Sequence, residues 1–232
     1  MQRILVLNPK GGSGKTTVAT NLAGYFASQG DRPLLSDNDP QGSSTRWLKK
    51  RTSEQPFIHG VAAFERSARV TRAWQLRTPP DAMHVVVDTP AAVPPQDLPD
   101  MTKSADAIIV PVLPSDIDIH ACSKCIADLL LIAKIRRSEN RIGVIANRVK
   151  RNTLVYQSLM RFLATLRIPI IATLRDSQNY VRAAELGQGL HEMKHGTVSR
   201  DLEDWAPLIQ WLKDKEISAE AKGRTDLLSE TA

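Results

Sequence analysis

Cysteine is scarce in this chain: Cys122 and Cys125 are the only two among 232 residues, and they stand together in one C-S-K-C. That is too few for a disulfide framework and half of what a four-cysteine zinc site requires, so the pair reads as two thiols buried on a helix. Long apolar runs are missing too. Stretches such as Ala105 to Leu113 fall far short of the roughly 20 residues that a membrane span demands, and no basic-then-apolar leader opens the sequence. There is no internal repeat and no low-complexity linker. The expectation is a soluble, cytoplasmic protein with one domain over residues 1–217 and a loose polar tail over 218–232.

What is present is charge, and it is segregated. The net charge is +6. Residues 46–77 hold 8 basic against 2 acidic side chains, and residues 134–200 hold 13 against 4. The segments 78–133 and 201–232 are acidic, with 2 against 8 and 4 against 8. Solvated faces mix the two signs, whereas a concentrated excess is what a polyanion-binding surface needs.

Short apolar runs recur along the chain: "RILVLN", "PLLSD", "MHVVVD", "ADAIIVPV", "RIGVIAN" and "IPIIATL". They read as buried strands. Helical patterns lie between them, at Lys15 to Gln29, Ile117 to Arg136 and Thr153 to Leu166. Strand and helix in alternation predict an α/β fold, a doubly wound and mostly parallel sheet flanked by helices. Residues 52–80 are the least regular part, rich in arginine, and read as an insertion on the surface.

The first turn carries the chemistry. "LNPKGGSGKTTVATNL" joins an apolar strand to a helix and approximates G-x-x-x-x-G-K-[ST], with Pro9 in place of the first glycine. Glycines let backbone N–H groups converge on phosphate oxygens, Lys15 supplies charge to the β and γ phosphates, and the Thr16 hydroxyl suits magnesium. A flexible glycine-rich turn would explain neither of its lysines, Lys10 and Lys15.

K-G-G-x-G-K-T-T resembles the deviant Walker A loop of the ParA/MinD family of dimeric ATPases, a variant of the P-loop NTPase fold. The resemblance implies ATP and Mg2+ as ligands, held by Lys10, Gly11, Gly12, Ser13, Gly14, Lys15, Thr16 and Thr17. Lys10 matches the family's signature lysine, which reaches across a nucleotide-sandwich homodimer to the partner's phosphates. "SDNDPQGSST" resembles the family's D-x-D-P-Q, which places Asp37 near the metal and makes Asp39 the residue that positions the attacking water. By themselves, paired aspartates after a strand are more often a turn and a helix cap. "VVVDTPA" resembles the Walker B strand, adding Asp88 to Thr16 and Asp37 at the metal, and "GVIANRV" places Asn147 beside the adenine. "TLRDSQNYVRAAELGQG" resembles the segment that closes the base pocket. In this reading Lys10, Lys15 and Asp39 carry catalysis.

The chain resembles most the small orphan, McdA-like members that position protein cargo such as carboxysomes on the nucleoid. This implies an activating adaptor and non-specific double-stranded DNA as partners, with no membrane. The basic group Arg136, Arg137, Arg148, Lys150, Arg151, Arg167 and Arg182 suits such DNA contact. The first strand begins at Arg3, without a preceding helix-turn-helix, so operator recognition is not expected. The stripe Leu202, Trp205, Leu208, Ile209 and Leu212 reads as a helix packed on the core rather than a membrane anchor, because its region is net negative. Two alternatives stay open: a plasmid or chromosome partition ATPase with a centromere-binding adaptor, and a metallocluster carrier or reductase using Cys122 and Cys125.

Overall fold

The computed structural model describes residues 1–65 and 77–230; residues 66–76, part of the expected insertion, lie outside the described residues. Its strands are β1 (Gln2–Val6), β2 (Leu34–Asp37), β3 (His59–Ala62), β4 (His84–Asp88), β5 (Ala107–Val112), β6 (Ile142–Val149) and β7 (Ile170–Arg175). Its helices are α1 (Lys15–Ser28), α2 (Ser43–Leu48), α3 (Leu98–Thr102), α4 (Asp116–Leu131), α5 (Leu154–Thr165), α6 (Asn179–Glu185) and α7 (His195–Glu230).

The strands form one seven-stranded sheet in the order β3-β2-β4-β1-β5-β6-β7, with each pairing parallel. Alternate side chains of each strand enter opposite cores, as the two-residue period requires. Ile4 and Val6 of β1 join Val18, Leu22, Trp47, Trp205 and Leu208 on the face covered by α1, α2 and α7. Leu5 joins Leu98, Cys122, Ile126 and Leu159 on the face covered by α3, α4 and α5. Covered on both faces, the inner strands show no polar alternation.

Two stretches differ from the sequence expectation. Residues 52–80 contain β3, an edge strand whose H-G-V-A is only partly buried and so shows no apolar run. α7 continues to Glu230, so residues 218–230, expected as a loose tail, are helical in backbone. The stripe of α7 packs on the sheet, with Trp205 and Leu208 fully buried. Among the described residues, no helix is long and apolar enough to cross a membrane.

Candidate functional site

The site begins where β1 ends. The chain leaves the middle of the sheet at Val6 and re-enters α1 at Lys15, with β4 on one side of β1 and β5 on the other. This is the place where strand order diverges, the usual crevice for ligands in an open α/β sheet.

The connecting loop is held from several sides. Asn8 donates through Nδ2 to the Pro111 carbonyl at 2.6 Å and accepts at Oδ1 from the Lys10 N–H at 2.8 Å. The Pro9 carbonyl accepts from the Ala92 N–H at 3.0 Å, and the Ser13 carbonyl from Asn147 Nδ2 at 2.8 Å. Gly14 has φ of 96°, and a Cβ on it would lie 2.2 Å from Asn147 Nδ2, so glycine is required there twice over. Among the described residues, the N–H groups of Gly11, Gly12 and Ser13 take no backbone acceptor. They are left for an anion at the positive end of a 14-residue helix.

The two lysines occupy different environments. Lys15 is 6% exposed, and its Nζ donates to the Lys10 carbonyl at 3.1 Å. Burial lowers its pKa, and the negative charges of Asp88 and Asp39 oppose that shift. Lys10 turns elsewhere: its Nζ pairs with Asp118 Oδ2 at 2.8 Å, with about a third of the lysine side chain exposed (32%) and 3% of the aspartate. Ser115, the N-cap of α4, bonds the same carboxylate.

Asp37 and Asp88 are directly paired in register where β2 and β4 end, and both are fully buried. Asp37 accepts from the Asp39 N–H at 3.1 Å and from the Thr45 N–H at 2.8 Å, which caps α2. Ser44 Oγ donates to Asp88 Oδ2 at 2.7 Å, while Asp88 Oδ1 is buried without a hydrogen-bond partner. Burial pushes the Asp88 carboxyl up to about 6; hydrogen bonds from Ser44 and Thr16 pull it down, and the neighbouring Asp37 adds to the rise. An orphaned buried carboxylate oxygen beside a second carboxylate and the Thr16 hydroxyl fits a hard divalent cation such as magnesium. Asp39 is partly buried at the mouth of this group, its Oδ1 accepting from the Gln41 N–H at 2.9 Å.

Asn147 has a task that sequence reading did not foresee. It ties the loop to β6 through Ser13 and accepts at Oδ1 from the Arg148 N–H at 3.0 Å. It also lines a cavity of about 450 Å³, with Gly12, Gly14 and Thr17 on one wall and Tyr180 and Ala184 of α6 on the other. That volume accommodates a nucleoside. The segment read as closing a base pocket therefore faces Asn147 across this space. Ser44 and Asp118 were missed; the S-x-x-D from Ser115 at the start of α4 was the one local signal for Asp118, and Ser44 had none.

The basic residues do not form one patch. Arg136 and Arg137 precede β6 and Arg167 precedes β7, whereas Arg148, Lys150 and Arg151 lie at the far end of β6 and Arg182 on α6. An eight-residue strand, about 25 Å long, separates the two sets. At the site end, Arg148 pairs with Asp176 and Arg151 with Asp204. The two cysteines are buried and free, and burial pushes Cys122 up to about 12 and Cys125 higher still. Among the described residues, no group of three or more histidines, cysteines or carboxylates could hold a metal ion.

Residues 4–190 match the family model described as the CobQ/CobB/MinD/ParA nucleotide binding domain. The maintenance of carboxysome distribution protein A of Gloeobacter kilaueensis is 39% identical over 116 residues, covering 50% of this chain and 51% of that protein, so the match spans about half the length of that relative. The protein of the same description from Halothiobacillus neapolitanus is 26% identical over 73% of this chain and 77% of its own length. Among solved structures, the ATP complex of a Cyanothece McdA variant superposes with a TM-score of 0.64 at 17% identity, covering 90% of this chain and 96% of that one.

Proposed function

Because the chain belongs to the CobQ/CobB/MinD/ParA family of nucleotide-binding ATPases, we propose that it is a slow, magnesium-dependent ATPase that dimerises on ATP, binds DNA without sequence preference and positions a protein cargo. The carboxysome is the cargo suggested by the two relatives described above. One observation carries the reading: two lysines five residues apart on one loop face different ways, Lys15 inward at the start of α1 and Lys10 outward toward Asp118.

In this mechanism the N–H groups of Gly11 to Thr16, with Lys15, hold the phosphates of the chain's own nucleotide, and Lys10 reaches those of the partner's. Thr16, Asp37 and Asp88 would hold magnesium, which when bound neutralises charge on the β and γ phosphates. Asp39 accepts a hydrogen bond from the attacking water and aligns it. No arginine occurs between residues 4 and 31, so the phosphate loop brings no arginine finger of its own; turnover is slow and an activating adaptor accelerates it. Dimerisation covers the site end, which leaves Arg136, Arg137 and Arg167 at the opposite end to face DNA phosphates. Pairing two such sets multiplies a weak, salt-sensitive contact. Residues 1–217 form the ATPase unit, and 218–232 are dispensable for nucleotide binding. In the cell the protein is cytoplasmic and nucleoid-associated.

Two variants test the reading. Lys15→Ala abolishes ATP binding. Lys10→Ala binds ATP but fails to dimerise, and its ATP-dependent DNA binding collapses with it. Nucleotide titration beside light scattering separates them, and a Lys10→Ala protein that dimerises like wild type refutes the cross-subunit role.

A further inference from the structure

α2 begins at the metal-site carboxylates and ends beside the nucleoside cavity. Its first turn is fastened by the Thr45 N–H to Asp37 and by the Ser44 hydroxyl to Asp88. Its last turn and the segment that follows it, through Gln55, are fastened to the far wall. Lys50 Nζ donates to the Ala184 carbonyl at 3.0 Å, Trp47 Nε1 to the Gln188 carbonyl at 3.3 Å, and Gln55 Nε2 to the Leu186 carbonyl at 3.0 Å. Arg51 donates to both oxygens of Glu192 at 2.6 and 2.9 Å, and these side chains are 7% and 4% exposed. Gly187 lets the two backbones touch, since a Cβ there would lie 2.8 Å from the Arg51 nitrogen.

Lys50 is exposed, and these fastenings fix the backbone on either side of it. Lys50 borders the cavity of about 450 Å³ together with Thr17, Tyr180 and Ala184. It also borders a second cavity of about 210 Å³, between α1 and α2, that shares those three residues. Among the described residues it forms no ion pair. An ammonium has three donors and the Ala184 carbonyl uses one, so two donors and the whole charge remain for a ligand.

We infer that Lys50 is a nucleotide-binding residue that neutralises the α-phosphate, acting beside Thr17 on the nucleoside side of the loop while Lys15 serves the β and γ phosphates. The assignment rests on the ATPase reading above and adds to it a cation that the loop motif does not contain. An α-phosphate contact strengthens ATP and ADP binding alike and leaves their ratio unchanged.

The test is titration of the full chain with ADP and with ATP in magnesium, using wild type, Lys50→Ala, Lys50→Gln and Lys50→Arg. Glutamine retains a donor for the Ala184 carbonyl but has no charge. Expected are losses of about tenfold in both affinities for Lys50→Ala and Lys50→Gln, with Lys50→Arg near wild type. If Lys50→Gln binds ADP as wild type does, the lysine is only a bridge between α2 and α6 and the assignment is wrong. If wild type itself binds neither nucleotide, the ATPase reading fails, and this assignment with it.

Discussion

Lys10 and Asp118 meet across 108 residues of sequence, their ammonium and carboxylate 2.8 Å apart at the rim of the phosphate loop. A lysine proposed to act on a partner subunit's phosphates is thus held by its own chain. Asp118 and those phosphates compete for one cation. Asp118→Asn weakens the hold, so ATP-dependent dimers form at lower protein concentration than in wild type. Sedimentation velocity over a concentration series measures it; a higher dimer dissociation constant would show that Asp118 aims Lys10 rather than restraining it.

Asp39→Ala retains ATP, because the phosphate loop and the Asp37–Asp88 pair are untouched, and loses turnover with its water-orienting carboxylate. The expected product is a long-lived ATP dimer with hydrolysis reduced at least about a hundredfold. Single-turnover hydrolysis with labelled ATP reads this, and a normal rate removes Asp39 from the mechanism.

Gly14→Ala introduces a Cβ into the Asn147 amide at a φ of 96°. Strain and collision together cost about 1–3 kcal/mol and displace the loop, so ADP binding is lost. Adding Asn147→Ala removes the collision and returns part of the stability but not the binding. Chemical denaturation of the two variants gives the comparison.

Two buried groups give opposite pH dependences. Burial lowers the His191 imidazole, edge-on to Tyr25 and Trp205, to about 4. Its contribution is complete above the ordinary value near 6.5 and is lost as pH falls toward 4. Asp88, raised to about 6, contributes fully below its ordinary value and loses that contribution as pH rises from about 4 to 6. Each effect amounts to at most about 3 kcal/mol, and in wild type they largely cancel. His191→Phe leaves the Asp88 slope alone, so that variant gains stability on acidification relative to wild type. Asp88→Asn does the reverse. Urea midpoints between pH 4 and 6.5 decide it.

The Arg51–Glu192 pair is buried on both sides, so removing one partner strands a charge. Glu192→Ala lowers stability by about 3–5 kcal/mol, whereas the joint replacement Arg51→Met with Glu192→Leu costs far less. Melting curves of the three proteins suffice.

The inner strands were legible because burial on both faces makes each an unbroken apolar run, as in "HVVVD" and "AIIVPV". The phosphate loop was legible because its contacts are local. What failed to show was nonlocal. β3 is recognisable only by its pairing with β2, and α2 owes its first turn to Asp37, eight residues earlier than Thr45. Asp118 looks like an ordinary cap until Lys10 is folded against it. The basic excess of residues 134–200 is a fact of sequence, but β6 carries its two halves to opposite ends of the molecule.

β1 lies in the interior of the sheet, hydrogen-bonded on both sides. Its amides are therefore released to solvent only when the whole molecule opens, while the edges at β3 and β7 can fray on their own. The phosphate loop is suspended from the part of the protein that yields last. Partial unfolding then erodes the flanks before it touches phosphate binding, and a ligand bound at the loop slows the slowest-exchanging amides most. The phosphate loop is lost in one step, together with the fold.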